Sequence, residues 1–398
     1  MTDQHYRLTN VRPWGADPVD IAIEDGRIAD IRPAAASPAA GDVDGGDLLA
    51  LPGFINTHSH VDKSWWGQPW VSYTYSDHPT VEGWIANECA QRSKYDIPNA
   101  SSTAAVLREF LRHGTTATRT HIDVDLDIGL RGLECVKAAL NEVGDAIQVK
   151  TVAFPQDGVL RRPGVLKLLD EAAQAGVDYI GGLDPGTIDR DVEGQLDALF
   201  DIAVARGVGL DLHLHDFGSL GVYEFQQVMR RTIDAKLQGR VNISHGFVLG
   251  TLPQNVQAEI VEGLAEAGVS WTTVAMGGTA PLPWQGMRQR SVPLGLGTDG
   301  IRDLWSPFGD GDLLRIAFQF ARLHGLRHDD KLTAAVELAT RGGAHFVGRD
   351  VHDLVAGARA DIVLLDAENV PDALVRCPPR RLVISGGCVA ARNGEVLV

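Results

Sequence analysis

The stretch PGFINTHSHVDKSWW, residues 52–66, runs from a short apolar segment directly into the pattern His58-Ser59-His60. A short apolar run that follows Pro and Gly is typical of a buried strand. Side chains of a strand alternate between its two faces, so both imidazoles lie on one face if the strand continues. Two imidazoles on one face can bind one ion, although this pattern alone is a weak signal. The stretch predicts a strand that ends in a candidate metal site.

The chain beyond residue 66 repeats this arrangement, because short apolar runs alternate with longer segments whose apolar residues recur at a spacing near 3.6. Eight such alternations predict an α/β fold, a (β/α)8 TIM barrel. The predicted strands are 51–57, 115–120, 147–153, 177–183, 208–213, 240–245, 268–274 and 293–298. The predicted helices include 101–113, 128–142, 163–175, 192–205, 253–267 and 330–347.

Both ends of the chain have a different sequence pattern, in which short apolar runs alternate with turn residues. At the C-terminal end, Gly386-Gly387 and Asn393-Gly394 are turn signals. We therefore expect the two ends to build one small β-sandwich subdomain, formed by residues 1–50 and 352–398. The barrel is then expected to occupy residues 51–351.

Composition and charge narrow the function classes. With 36 Lys and Arg residues against 52 Asp and Glu residues, the formal net charge is −16, which opposes binding to nucleic acids and to anionic membranes. The 4 cysteines form no CxxC pair, and the N-terminal segment has no apolar signal region. We expect a cytoplasmic protein with reduced thiols that acts on a small molecule.

The predicted strand ends carry ionisable residues. Enzymes with this barrel place their chemistry at the carboxyl ends of the strands. Six of the 13 histidines lie at these positions, and they are His58, His60, His121, His213, His215 and His245. Together with Asp299 at the end of the eighth strand, the histidines His58, His60 and His213 form a set suited to Zn²⁺ or Fe²⁺.

Such an ion makes hydroxide available near neutral pH, which is hydrolase chemistry. Attack on an unsaturated carbon also requires a proton on the leaving side, so acid–base groups are expected beside the metal. The candidates are Asp216, His215 and His245.

Several blocks in the same order resemble the amidohydrolase superfamily, in its cytosine deaminase-like branch. The blocks are PGFINTHSHVDKSWW at 52–66, TTATRTHIDVD at 115–125, VAFPQDG at 152–158, GGLDPGT at 181–187, DLHLHDFGSLGVY at 211–223, SHGF at 244–247, GTDGIRDLWSPFGDGD at 297–312 and GARADIVLLD at 357–366.

The resemblance implies a mononuclear site with His58, His60, His213 and Asp299 as ligands. It also implies that Asp299 takes the proton of the attacking water and that His245 contacts the substrate or the attacking oxygen. Gln156 matches a glutamine that reads the edge of a ring, and Trp305 matches an aromatic residue near the pocket. GGLDP at the end of the fourth strand carries no lysine for a second metal ion.

One departure from cytosine deaminases concerns the proton carrier. Those enzymes have Glu three residues after the fifth-strand histidine, whereas Asp216 stands here and His215 precedes it. The carboxylate is set back by about one C–C bond, roughly 1.5 Å. The expected substrate therefore moves from cytosine toward another amino- or alkylamino-substituted heterocycle, such as an s-triazine.

Two further residues keep alternative interpretations. Lys63 contacts a substrate oxygen, or it is a surface or helix-start lysine. Asp184 binds a substrate N–H group, or it forms an ion pair with Arg119 or Arg302.

The function predicted from these residues is metal-dependent hydrolytic removal of ammonia or an alkylamine from an N-heterocycle. The alternatives are a cyclic amide hydrolase of the hydantoinase type and a non-catalytic binding protein. A homo-oligomer is expected.

Overall fold

The computed structural model describes residues 5–35, 41–75 and 80–398. Residues 1–4 and 36–40 of the predicted terminal subdomain, and residues 76–79 of the predicted barrel, lie outside the described residues. The N-terminal strands are β1 (His5–Pro13), β2 (Val19–Glu24), β3 (Arg27–Pro33) and β4 (Val43–Pro52). Asp25 and Gly26 join β2 to β3 with φ values of 48° and 76°, which a type I′ hairpin turn requires.

The barrel strands form one curled sheet in which all neighbours run parallel. The strands are β5 (Phe54–His60), β6 (Thr115–Asp123), β7 (Gln148–Phe154), β8 (Tyr179–Leu183), β9 (Gly209–Leu214), β10 (Val241–His245), β11 (Val269–Thr273), β12 (Leu294–Leu296) and β13 (Asp299–Gly300). The sequence analysis placed the first barrel strand three residues too early. Both histidines, His58 and His60, therefore lie inside β5 and not after it. The predicted (β/α)8 barrel is confirmed.

The barrel closes through an interrupted eighth strand. β12 pairs with β11, whereas β13 pairs with β5. At the interruption, the Asn56 side chain replaces backbone pairing: its Nδ2 donates to Thr298 Oγ1 at 2.8 Å and its Oδ1 accepts from Thr298 N at 3.1 Å. A Cβ atom on Gly297 would lie 2.4 Å from the Cβ of His58, so only glycine permits this approach. The closure therefore brings the last strand against His58 of β5.

Helices surround the barrel and bury their apolar sides against it. They are α1 (Val81–Gln91), α2 (Ala100–Arg112), α3 (Arg131–Val143), α4 (Val165–Gln174), α5 (Val192–Arg206), α6 (Gly218–Asp234), α7 (Val248–Thr251), α8 (Gln254–Ala267), α9 (Trp284–Gln289), α10 (Leu313–Leu323), α11 (Asp329–Ala339) and α12 (Val370–Arg376). Over the ranges that the structure describes, every helix is too short or too polar to cross a membrane.

The predicted helix 330–347 is shorter than expected. α11 ends at Ala339, and Arg341–Val347 forms a 3₁₀ helix. Gly343 lies so close to β5 that a Cβ atom there would stand 2.6 Å from the Cβ of Ile55. Contact with the barrel strand thus changes the helix geometry at this point.

The C-terminal strands join the N-terminal ones in a second sheet. They are β14 (Ile362–Leu365), β15 (Arg380–Ser385), β16 (Cys388–Arg392) and β17 (Glu395–Val396). The strand order in the described part is β17-β16-β15-β14-β4-β1-β2-β3, with β14 antiparallel to β4. A β subdomain built from both ends of the chain is therefore confirmed, while its boundaries at 1–50 and 352–398 stay a prediction.

Arg380 connects this second sheet to the helices of the barrel. It lies on β15, and its guanidinium binds both carboxylate oxygens of Asp312 and donates to the His113 carbonyl at 2.9 Å. Asp312 also caps α10, because its Oδ1 accepts from the Leu314 N–H at 2.9 Å. The side chains of Arg380 and Asp312 are each 2% exposed.

We predict that Arg380→Ala lowers the free energy of unfolding by about 3–5 kcal/mol, because it removes the nearest counter-charge of a buried carboxylate and leaves, among the described residues, only Arg315, 3.7 Å away, as an arginine partner. Urea denaturation followed by circular dichroism measures the change. The matched control is Arg381→Ala, whose partner Asp366 and own side chain are 63% and 53% exposed. The control is expected to cost less than about 1 kcal/mol, and equal losses would contradict the prediction.

Candidate active site

Four histidines from three barrel strands converge at the carboxyl end of the sheet. One ring nitrogen of each lies within 4.8 Å of the others. They are His58 and His60 of β5, His121 of β6 and His213 of β9, and all four are buried. The sequence placed His121 at a strand end without including it among the ligands, so the structure adds it to the cluster.

Asp299 approaches the same cluster from the closing strand. Its Oδ1 lies 3.7 Å from His58 Nε2 and 3.4 Å from His60 Nε2. His245, at the end of β10, forms a second group with His58 and Asp299, again with all three ligand atoms within 4.8 Å. Asp299 reaches this position with φ at 61°, in the left-handed region. His58 is common to both groups and thus marks the centre of the site.

The donor set fits a divalent metal ion. Within the described ranges, His58 Nε2, His60 Nδ1, both ring nitrogens of His213 and His245 Nδ1 are buried without a hydrogen-bond partner. Such atoms are rare in native proteins and call for an explanation. Burial holds the pKa of His60, His213 and His245 well below 6.5, so the rings are neutral, the form that binds metals.

The hydrogen bonds behind His58 orient its ring. Ser244 Oγ donates to Asp211 Oδ1 at 2.7 Å, so the Ser244 hydroxyl oxygen accepts from His58 Nδ1, which lies 3.0 Å from it. The lone pair of His58 then stays on Nε2, the atom that faces Asp299. Arg119 Nη1 donates to Asp211 Oδ2 at 2.9 Å, and both side chains are buried. These partners of His58 were not identified from the sequence.

A carboxylate–imidazole pair lies beside the cluster. Asp184 accepts from the backbone N–H of His215, and its Oδ2 lies 2.9 Å from His215 Nδ1. Burial lowers the pKa of His215, but the Asp184 carboxylate outweighs it and raises the pKa above 6.5. The His215 ring stacks on the His245 ring, with centroids 4.5 Å apart. Asp184 thus fixes the His215 ring, whose pKa is raised, against the His245 ring.

The expected ion pair of Asp184 with Arg119 or Arg302 is wrong. The partner of Asp184 is His215, while Arg119 binds Asp211 and the Arg302 guanidinium lies 4.1 Å from the centroid of a Trp66 ring. The sequence could not resolve these pairings because all the partners lie on different strands or loops.

Asp216 is held by the short π-helical turn Pro185–Asp189, which follows β8. Its Oδ2 accepts from the Thr187 N–H at 3.1 Å, and its Oδ1 accepts from the Thr187 hydroxyl. Glu224 of α6 is buried nearby. Burial is the larger cause and the hydrogen bond with Asp216 the second cause that raise the pKa of Glu224 to about 9. Asp216 as a proton carrier stays a prediction.

A second polar group lines the barrel mouth. Lys63 Nζ donates to Gln156 Oε1 at 2.6 Å and lies 3.4 Å from Glu88 Oε2. The same Glu88 oxygen accepts from Gln156 Nε2 and from Trp305 Nε1. The structure therefore brings together the predicted binding residues Lys63, Gln156 and Trp305. It adds Glu88, which lies on a helix that the sequence analysis did not predict.

Lys63 is 3% exposed, so its interpretation as a surface lysine is wrong. Burial disfavours its charge, but the carboxylates of Asp123 and Glu88 raise its pKa well above the usual value. Asp123 Oδ2 lies 3.3 Å from Nζ. The three N–H groups of the ammonium thus have three protein acceptors: Gln156, Asp123 and Glu88.

Comparison with known proteins agrees with this architecture. The model of the amidohydrolase family matches residues 98–391. The chain therefore belongs to the amidohydrolase family. It is a hydrolase that acts on carbon–nitrogen bonds other than peptide bonds, as its named relatives are.

Among these relatives, the chain is 28% identical over 392 residues to N-isopropylammelide isopropyl amidohydrolase of Pseudomonas sp. strain ADP, covering 95% of this chain and 94% of the relative. It is 26% identical to a pterin deaminase of Rhizobium rhizogenes, covering 94% and 88%. The crystal structure of N-isopropylammelide isopropylaminohydrolase from Burkholderia multivorans superimposes with a TM-score of 0.94 at 39% identity, covering 99% of this chain and 100% of that one. The fold is also that of a 5-methylcytosine deaminase from Klebsiella pneumoniae, with a TM-score of 0.82 at 21% identity and coverage of 98% and 97%.

Proposed function

We propose that this enzyme hydrolytically removes ammonia or an alkylamine from an amino-substituted N-heterocycle, such as a pyrimidine or an s-triazine. The observation that carries the proposal is the convergence of imidazoles with buried ring nitrogens that lack hydrogen-bond partners, together with Asp299, beside the His215–Asp184 pair. The substrate named for the Burkholderia relative, an isopropylamino-substituted ring, supports the s-triazine class.

In this proposal His58, His60, His213 and Asp299 hold one Zn²⁺ or Fe²⁺ ion, and His121 lies within reach of the same position. A bound ion of this kind is a Lewis acid that lowers the pKa of water to about 7. Three neutral nitrogens and one carboxylate are a suitable donor set for either metal. The proposed division places all of these residues in the barrel, 51–351.

The protein groups then handle the protons. Asp299 takes a proton as water adds to the ring carbon, and His245 contacts the oxygen that adds. His215, oriented by Asp184, delivers a proton to the leaving nitrogen, and Asp216 is the alternative carrier. The C–N bond breaks and a C–O bond forms, so the products are the oxo ring and ammonia or an amine.

The pocket residues bind and orient the ring. Gln156 contacts a ring edge, and the Trp305 indole provides an apolar wall. Lys63 is engaged by protein acceptors, so its contribution is electrostatic and acts partly through Gln156. Both carboxylate oxygens of Asp184 already contact His215. Asp184 therefore binds a substrate N–H group only through an oxygen lone pair that these contacts leave free.

A substrate panel tests the proposal. Cytosine, isocytosine, ammelide and N-alkylammelides are incubated with the purified enzyme, and ammonia, amine and ring products are measured by mass spectrometry. We expect at least one ring to lose its amine with the ring intact, and activity to disappear when a chelator removes the metal. Ring opening instead would support a hydantoinase-type reaction and contradict the proposal. Homo-oligomerisation and cytoplasmic location stay predictions.

A further inference from the structure

One carboxylate oxygen of Glu88 binds three groups of the substrate pocket. Glu88 is 2% exposed. Its Oε2 accepts from Gln156 Nε2 and from Trp305 Nε1, and it lies 3.4 Å from Lys63 Nζ. The groups that surround the proposed ring position thus share one acceptor, which the reaction as proposed above does not use.

Helix α1 fixes Glu88 at this place. Ile85, one turn earlier on α1, packs in a small apolar cluster with Phe154 and Leu183 from two barrel strands. Trp84 stacks on Trp305 with ring centroids 5.3 Å apart and an interplanar angle of 20°. The helix therefore lies over the barrel mouth, and its buried side carries Glu88 into the pocket.

The contacts of the Gln156 amide define its orientation. Its Oε1 faces the Lys63 ammonium, which only donates, and its Nε2 faces the Glu88 carboxylate, which only accepts when ionised. A flipped amide would oppose two donors at one end and two acceptors at the other. Lys63 and Glu88 therefore permit one orientation of the amide. One N–H group and one oxygen lone pair of Gln156 remain for a ligand.

We propose that Glu88 and Lys63 determine substrate specificity by locking the Gln156 amide, so that the pocket accepts a ring edge with its hydrogen-bond acceptor and donor in one order. An oxo ring presents an exocyclic acceptor beside a ring N–H donor. Its amino counterpart presents an exocyclic donor beside a ring nitrogen acceptor, the reverse order. The proposal rests on the proposed function, because Gln156 must face the substrate ring.

The test compares two probes that share a leaving group and differ at one ring position. They are the dioxo s-triazine with an isopropylamino group and the amino-oxo s-triazine with the same group. For the wild-type protein we expect a preference of at least about 100-fold in kcat/KM, since a polar site rejects a mismatched hydrogen-bonding partner. The dissociation constants of both probes are measured by calorimetry alongside turnover.

The decisive variant is the double substitution Lys63→Met with Glu88→Ala. It removes both hydrogen-bond partners of the Gln156 amide and leaves the net charge of the pocket unchanged. The preference between probes is expected to fall below about tenfold, because the amide can then turn to match either edge. Glu88→Gln keeps an acceptor oxygen for Gln156 and Trp305 and is expected to retain the preference. A general loss of structure would weaken binding of both probes without changing the preference, so circular dichroism first establishes that each variant is folded, and only folded variants are compared.

The matched control is Glu82→Ala on the same helix, where the Glu82 side chain is 53% exposed and binds Arg161 at 3.0 Å. It is expected to leave the preference unchanged. A double variant that keeps the full preference, or a wild-type protein that binds both probes equally or neither, overturns the proposal. Selective binding without turnover contradicts only the proposed function and still supports the role of Glu88 and Lys63 in orienting the Gln156 amide.

Discussion

Replacing Asp299 with alanine is expected to abolish turnover and to remove most of the bound metal. Asp299 is the carboxylate of the proposed ligand set, and its Oδ1 lies within 3.7 Å of His58 Nε2 and 3.4 Å of His60 Nε2. It is also the proposed acceptor of the proton from water. Loss of both roles is expected to lower kcat by more than about 1000-fold. Elemental analysis and steady-state kinetics on the same sample measure both effects.

The backbone of Asp299 requires a second variant. Its φ of 61° is costly for alanine, whereas asparagine tolerates the left-handed region. Asp299→Asn therefore separates loss of the carboxylate from backbone strain, and we expect it to be as inactive as the alanine variant. Asp310→Ala serves as the control. Among the described residues, the one charged partner of Asp310 is Arg315, which forms an exposed ion pair with it at 3.3 Å. Full activity of Asp299→Asn with normal metal content would refute the assignment.

The second large effect is expected for His215→Asn. Asparagine can still bond to Asp184 but lacks the ring that stacks on His245. Metal content is expected to remain normal, while kcat falls by about 100- to 10,000-fold through loss of acid–base catalysis. Single-turnover kinetics with parallel metal analysis check this result.

Asp216→Asn is the companion variant, because the sequence left the proton carrier open between His215 and Asp216. Asp216 is bound by Thr187, so we expect its replacement to cost less in kcat than the loss of His215. A larger loss for Asp216→Asn, with metal retained, would assign the proton transfer to Asp216.

The sequence predicted the barrel well because short apolar runs alternate with longer segments of helical spacing, and ionisable residues cluster near the strand ends. The residues His58, His60, His213, His245 and Asp299 were all found in this way, since strand position alone brings them to one edge of the sheet. Pairwise geometry was beyond the sequence. Whether Arg119 pairs with Asp184 or with Asp211 depends on the directions of side chains from strands that are not adjacent in the sheet, and no local sequence pattern records these directions.

Glu88 was missed for another reason. It lies on α1, in the long connection between β5 and β6, where the sequence analysis predicted a helix only from residue 101 onward. A glutamate on a helix is normally solvated. Its burial depends on Ile85 packing against Phe154 and Leu183, contacts that link distant parts of the chain. The signal that could have found it is the apolar spacing of Val81, Ile85 and Cys89 along one side of the segment.

The interrupted eighth strand places the proposed active site at the point where the first and last barrel strands meet. His58 belongs to the first barrel strand and Asp299 to the last, and they meet only where β13 pairs with β5. The proposed ligands His58 and Asp299 therefore come together through closure of the ring of strands. A fragment that ends before Gly297 lacks both the closing glycine and the Asp299 carboxylate, so it is expected to lack the proposed metal site.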